Sequence, residues 1–281
     1  MTIVAGFKGS ESIAVAADTQ ETVGEHLKIS VPKLKDHERQ KWCVVLGGAG
    51  NAKLIDLLFE KIEGITGLIS STAGFRERLE EILEAIYKKH IFSAPADLRD
   101  YLEFELVIGL WTKNDGLALL ETSHALTLAC TRGYSCIGWG ASHAKKLADE
   151  WYEASFSRDS LVLLANYILQ QTKKYEPHCG GETHVMSIGS DGLVEVHEPE
   201  ESRDDETFAD AFAKIEKWPF FWCGNEKTSE ELLASFATAY AEMLKLLHAM
   251  RKQQKENREV LSTRFDEYVK QLIARMSKPK P

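Results

Sequence analysis

Near its start the chain carries two apolar, β-prone stretches, residues 2 to 7 and 12 to 17, separated by Lys8-Gly9-Ser10-Glu11, the composition of a tight hairpin. They predict two neighbouring antiparallel strands. A third strand, Trp42-Cys43-Val44-Val45-Leu46, runs into a glycine-rich turn, Gly47-Gly48-Ala49-Gly50, where missing side chains let a backbone come close to another group. From Ala52 to Phe59 apolar residues recur with helical spacing, and a second amphipathic helix near Ala73 to His90 places Leu79, Ile82, Leu83 and Ile86 on one face. Strand character returns at Leu106 to Trp111, Leu117 to Leu120 and Cys136 to Gly138, the first two joined by an Asn114-Asp115-Gly116 turn. Two helices follow, near residues 141 to 155 and 159 to 173. A hairpin then closes the core: Thr183 to Gly189, the turn Ser190-Asp191-Gly192, and Leu193 to Val196. Strands, two helices, strands, two helices, strands is an order that suits an α+β fold of four layers, αββα, better than regular βαβ winding.

The pattern changes after His197. Glu198 to Glu206 holds six acidic residues in nine, which reads as a solvated linker. From about residue 229 to 276 two long, charge-rich amphipathic helices are predicted, Ser229 preceding the first, which acidic residues cap. The expected organisation is a domain over residues 1–198, an acidic linker over 199–228 and a helical extension over 229–281. The extension's amphipathic faces fit packing on their own domain or against another subunit, and the pattern alone does not separate the two.

Composition narrows the function classes. A formal net charge of −9, with no basic stripe, opposes a nucleic-acid surface, which needs clustered Lys and Arg. The first residues lack a cationic stretch followed by an apolar one, and no run approaches the roughly 18 apolar residues of a membrane helix. The expected location is cytoplasmic, with no membrane partner. The five cysteines are odd in number and form no Cys-x-x-Cys pair, and the histidines include no His-x-x-x-His pair, so neither a disulfide framework nor a metal site is expected. Gly47-Gly48-Ala49-Gly50-Asn51-Ala52-Lys53 completes neither Gly-x-Gly-x-x-Gly nor the phosphate-loop pattern, which argues against a nucleotide.

Candidate chemistry lies in the first strand. Removal of Met1 would expose Thr2, whose hydroxyl and free α-amine place a nucleophile and a base on one residue. The strand Ile13-Ala14-Val15-Ala16-Ala17 delivers Asp18 sixteen residues after Thr2, and Gly47 lies fourteen residues after Lys33. An isolated Asp at a strand end is commonly a turn residue, and an isolated Lys a solvated charge; the joint spacing with Thr2 is what marks a site.

This order of Thr2, Asp18, Lys33-Leu34 and Gly47-Gly48 resembles the proteasome β-subunit family and its bacterial relatives, the HslV peptidase and the Anbu proteins. The resemblance covers about residues 2 to 198 and is strongest over the first 60. It implies the N-terminal-nucleophile hydrolase sandwich and hydrolysis of a peptide or related amide bond through an acyl-enzyme on Thr2. Lys33 would hold the α-amine's pKa down and stabilise the alkoxide, Asp18 would fix the lysine, and the Gly47 N–H would form the oxyanion hole. No cofactor is required. Between Asp18 and Lys33 the chain is one residue shorter than the family pattern, a loop deletion. Many members begin Thr-Thr-Ile-Val-Ala, and that string laid on Met1-Thr2-Ile3-Val4-Ala5 would put Met1 at the nucleophile's place, leaving a dead site. The ungapped count from Thr2 to Asp18 favours Thr2.

Two later family motifs are altered. The family's Gly-Ser-Gly is Gly138-Trp139-Gly140 here, and its Asp-x-x-Ser-Gly-Gly is Glu176-Pro177-His178-Cys179-Gly180-Gly181. Glu176 would preserve the carboxylate, Cys179 would donate only weakly in place of a hydroxyl, and Trp139 lacks an acceptor. Trp139 and Cys179 equally fit core packing near an altered site. By family position Val31, Val45 and Ala49 border the first specificity pocket, implying a modest apolar side chain. The resemblance further implies a homo-oligomer, ring or related, acting on a peptide or protein substrate, with an ATPase unfoldase as an open partner. Two other functions stay open: a non-catalytic structural subunit, which Trp139 and Cys179 support, and a hydrolase of a small amide.

Overall fold

The computed structural model describes residues 2–23, 27–65 and 69–197, together with residues 237, 238, 240, 241 and 245. The chain divides into two compact units, Met1–Glu206 and Thr207–Pro281. In the second unit the five described positions are all helical. The remainder of the linker and helical extension predicted for 199–281 lies outside the described residues.

The first unit opens with strands β1 (Ile3–Lys8) and β2 (Ser12–Asp18), a ribbon of β3 (Gln20–Val23) and β4 (Leu27–Ser30), and the pair β5 (Leu34–Arg39) and β6 (Trp42–Gly50). Helices α1 (Ala52–Glu63), α2 (Thr72–Ile86) and the short α3 (Arg99–Leu102) lead to β7 (Phe104–Thr112), β8 (Gly116–Ser123), β9 (Leu126–Ala129) and β10 (Tyr134–Gly138). Helices α4 (Ala141–Trp151) and α5 (Arg158–Tyr175) precede the closing hairpin of β11 (Thr183–Gly189) and β12 (Val194–His197). The main strands form two antiparallel sheets, ordered β10-β1-β2-β11-β12 and β5-β6-β7-β8-β9. Helices α4 and α5 pack on the first sheet and α1 and α2 on the second, while the sheets face one another, giving the four αββα layers expected.

Strand alternation sorts the side chains. Val4, Val15, Val45 and Val107 project between the sheets, whereas Trp42, Val44 and Leu46 turn to the other face of β6 and meet Leu58, Phe75 and Leu79. Both faces of β6 are thus buried, which is why Trp42 to Leu46 reads as an unbroken apolar run. Each such buried side chain contributes roughly 1.5–3 kcal/mol. The helix starts are set by side-chain caps: Asn51, Ser71 and Ser157 accept the backbone N–H groups of Leu54, Gly74 and Ser160.

Four features differ from the sequence expectation. Gly47 to Gly50 is strand rather than turn, paired residue by residue with Val107 to Phe104 of β7. Ladder bonding there overrides the low strand preference of glycine. The helix expected to reach residue 155 stops at Trp151, where Tyr152 becomes extended, and α2 gives way to a π-helical turn, Tyr87–Ile91. Strands β3, β4, β5 and β9 were not predicted; β5 buries only Leu34 fully among its mostly polar residues and so lacks an apolar period. Among the described residues no helix is long and apolar enough to cross a membrane.

Candidate active site

The β1–β2 register pairs Val4 with Ala17 and so brings Asp18, at the end of β2, beside Ile3. Its fully buried carboxylate accepts the Ile3 N–H on Oδ1 at 3.1 Å and the Gly180 N–H on Oδ2 at 3.0 Å. Lys33, just ahead of β5, places its Nζ 2.7 Å from the same Oδ1 and donates to the Gln20 carbonyl at 2.5 Å. The lysine side chain is only 9% exposed. One carboxylate oxygen therefore sits between the ammonium and the amide that follows Thr2. The surrounding loops are tied down by Thr19, whose carbonyl accepts the Val31 N–H at 2.9 Å and whose hydroxyl accepts the Glu182 N–H at 2.9 Å. Lys173, in the last turn of α5, donates to the Gly181 carbonyl at 3.0 Å and the Thr183 hydroxyl at 2.7 Å, fixing the glycine loop that reaches Asp18.

Thr2 is half-buried and lines a cleft of about 380 Å³ together with Ala49, Gly138 and Trp139. Its carbonyl accepts the Trp139 N–H at 2.8 Å. Gly138 has φ +86°, and a Cβ there would lie 2.3 Å from the Thr2 carbonyl oxygen, so close approach and backbone conformation both demand glycine. Trp139 is not a core residue: its side chain is 56% exposed, with the His178 ring edge-on at 5.1 Å. What it gives the Thr2 backbone is its own backbone N–H.

Cys179 is buried, and a Cβ on Gly140 would lie 3.1 Å from its sulfur. Burial, and then the Asp18 carboxylate, push its thiol up to about 11, with Lys33 and the Gly140 N–H opposing. Glu176 caps α5 with its backbone, its carbonyl accepting the Cys179 N–H at 3.0 Å. Gly47 pairs with Leu34, the residue after Lys33, and a Cβ on it would meet Val4 Cγ1 at 2.5 Å. Of the residues expected around the first specificity pocket, Ala49 lines the cleft, Val45 is wholly buried between the sheets, and Val31 is half-buried in the loop before Lys33. Among the described residues no three His, Cys, Asp or Glu side chains gather as a metal would need.

The structure thus brings Asp18 and Lys33 together beside the Thr2–Ile3 peptide, with Cys179 close behind. Sequence reading missed the Gln20 carbonyl and the pinning role of Lys173. It also missed the cleft's far wall, Glu103, Glu105, Ser123 and His124, which only the sheet register assembles.

A family profile described as Proteasome subunit matches residues 2–188. Among solved structures, Anbu (ancestral beta-subunit) from Yersinia bercovieri is similar at 17% identity and a TM-score of 0.61, over 76% of this chain and 95% of that one. Anbu from Hyphomicrobium sp. strain MC1 gives 14% and 0.62, over 81% and 99%, and the helical assembly of the Anbu complex from Pseudomonas aeruginosa gives 14% and 0.60, over 81% and 99%. A comparison with curated proteins gives no match. Structural likeness at such identities establishes the fold, and the profile spans well over half of the sequence: the chain belongs to the proteasome subunit family.

Proposed function

We propose that this chain is a threonine peptidase of the N-terminal-nucleophile type, active once Met1 is removed. The observation that carries this reading is the buried Lys33–Asp18 pair beside the peptide bond that follows Thr2. Desolvation costs several kcal/mol per ion, and apolar replacements of such pairs are often neutral or stabilising, so stability is a poor reason for a nearly buried lysine there. Catalysis is a better one.

In this mechanism the Thr2 hydroxyl attacks the scissile carbonyl and its proton passes to the Thr2 α-amine, directly or through water. The Gly47 N–H stabilises the oxyanion. Collapse expels the amine of the substrate, which takes the proton from the α-ammonium, and leaves the acyl group as an ester on Thr2 Oγ. Water then attacks the ester with the α-amine again as base, releasing the acid and restoring the hydroxyl. The Lys33 charge opposes protonation of the α-amine, whose reference pKa is about 7.7–8.0, and so favours its form as a base at neutral pH. Asp18 is a positioning residue, acting through the lysine.

Hydrolysis of fluorogenic peptides by variants tests the assignment. Thr2→Ser keeps hydroxyl and amine and should retain measurable activity, while Thr2→Ala and Lys33→Ala should each lose on the order of a hundredfold or more. Undiminished hydrolysis by Thr2→Ala would overturn it. A non-catalytic subunit is the second reading, favoured by one observation: Trp139 and Cys179 stand where the family motifs carry hydroxyls, and the Cys179 thiol is buried. Wild type and Thr2→Ala equally inert toward peptides would fit that reading. By likeness to the helical Anbu assembly, we further propose that the chain forms a homo-oligomer acting on peptide or protein substrates in the cytoplasm.

A further inference from the structure

We infer that the cleft beside Thr2 is a subsite for a cationic side chain, the lysine or arginine of a peptide, with Glu105 as its counter-charge and Trp139 as its wall. The inference rests on Thr2 being the residue that meets the substrate. Its basis is how the two sheets frame the cleft. On β6 and β7, Ala49 pairs with Glu105 and Gly47 with Val107, and Ala49 and Val107 both belong to the cluster between the sheets. The two-residue period of a strand therefore puts Glu105 on that same inward face, one strand away from Ala49. Across the gap, a Cβ on Gly138 would lie 3.0 Å from the Ala49 Cβ and 2.3 Å from the Thr2 carbonyl oxygen. Glu105 is thus a near neighbour of the point where β6 meets the Thr2 backbone. Continuing the Val107–Glu121 register of β7 and β8 by two residues sets Ser123 beside it.

The charges around this opening are unbalanced. Glu103 and Glu105 both line the cleft, and none of its lining residues is Lys or Arg. Glu103 has a neighbour, its Oε1 lying 3.6 Å from His124 Nε2 in an exposed pair. Glu105 is exposed and, among the described residues, has no ion-pair partner. Trp139 lines the same cleft with 56% of its surface exposed, and an indole face attracts an ammonium or guanidinium. A cleft of about 380 Å³ gives room for a long aliphatic stem ending in such a head. Of Val31, Val45 and Ala49, the residues expected around an apolar pocket, Ala49 alone lines this cleft.

The test is equilibrium binding to full-length Thr2→Ala protein, in which no acyl transfer can occur. End-capped fluorescent peptides differing at one residue, Arg, Lys, Leu or Glu, would be compared by anisotropy. The Arg and Lys peptides should bind about fivefold or more tighter than the Leu peptide, and the Glu peptide weakest. Glu105→Gln should remove most of that preference, Glu105→Lys should reverse it, and added salt should shrink it. Equal binding of all four, stronger binding of the Leu peptide, no binding, or a preference unchanged in both Glu105 variants would overturn the inference. Because the readout is binding, it separates from the peptidase reading. Charge discrimination in a protein that never hydrolyses peptide would leave the subsite standing without the catalysis, and hydrolysis without discrimination the reverse.

Discussion

Asp18 accepts three bonds, from Lys33, Ile3 and Gly180, each donor coming from a different part of the chain. Removing the lysine alone leaves a buried carboxylate without its counter-charge. Lys33→Met should therefore lower unfolding free energy by about 3–5 kcal/mol, and adding Asp18→Asn should restore most of the loss. Urea titration of the two single variants and the double variant checks this, and strictly additive losses would show that the pair is uncoupled. At this scale the sequence was informative where chemistry is unusual. Thr2, Asp18 and Lys33 are distinctive side chains at countable distances along strand ends. Gln20 and Gly180 contribute backbone groups that every residue carries, so the Gln20 partner had no signal at all, and Gly180 stood out only through the glycine pair that the family motif shares.

Among the elements, β10 and its terminal Gly138 decide where Thr2 rests. Gly138→Ala combines a positive φ with a clash against the Thr2 carbonyl, whereas Gly116→Ala, at φ +71° with nothing within 4 Å, carries the backbone strain alone. The first should lose more than about 1 kcal/mol of stability together with hydrolysis, and the second should lose less and keep its activity. Matching thermal and kinetic profiles for the two variants would contradict this account of the site's backbone. The elements legible in advance were those with a strong internal period or an unbroken apolar run, such as β1, β2, β6 and α2. The edge strands β5 and β9 escaped notice because neighbouring backbones hold them in place: β5 is mostly polar, and β9, Leu126-Thr127-Leu128-Ala129, buries only its threonine. The cleft wall of Glu103 and Glu105 was equally hidden, since a register between distant strands creates it.

For the whole molecule, burial of thiols gives a pH signature. Cys43 and Cys136 are pushed up to about 12 and Cys179 to about 11, in each case chiefly by burial, from an ordinary value of 9.0. A folded value above the unfolded one means that the native state keeps protons that the unfolded chain releases. Their stabilising contribution is complete below about pH 9 and declines as the pH rises toward the folded values. The urea midpoint should fall steadily from about pH 9 to 11, and native protein near pH 8 should resist alkylation at these three cysteines until it is unfolded. Rapid native labelling of Cys179 would mean that the layer behind Asp18 is open to solvent. The chemistry itself turns on Thr2, whose state is read by intact mass before and after treatment with a peptide epoxyketone. The protein should lack Met1 and gain one inhibitor adduct, mapped to Thr2. A protein that keeps Met1 in full and gains no adduct would contradict the mechanism.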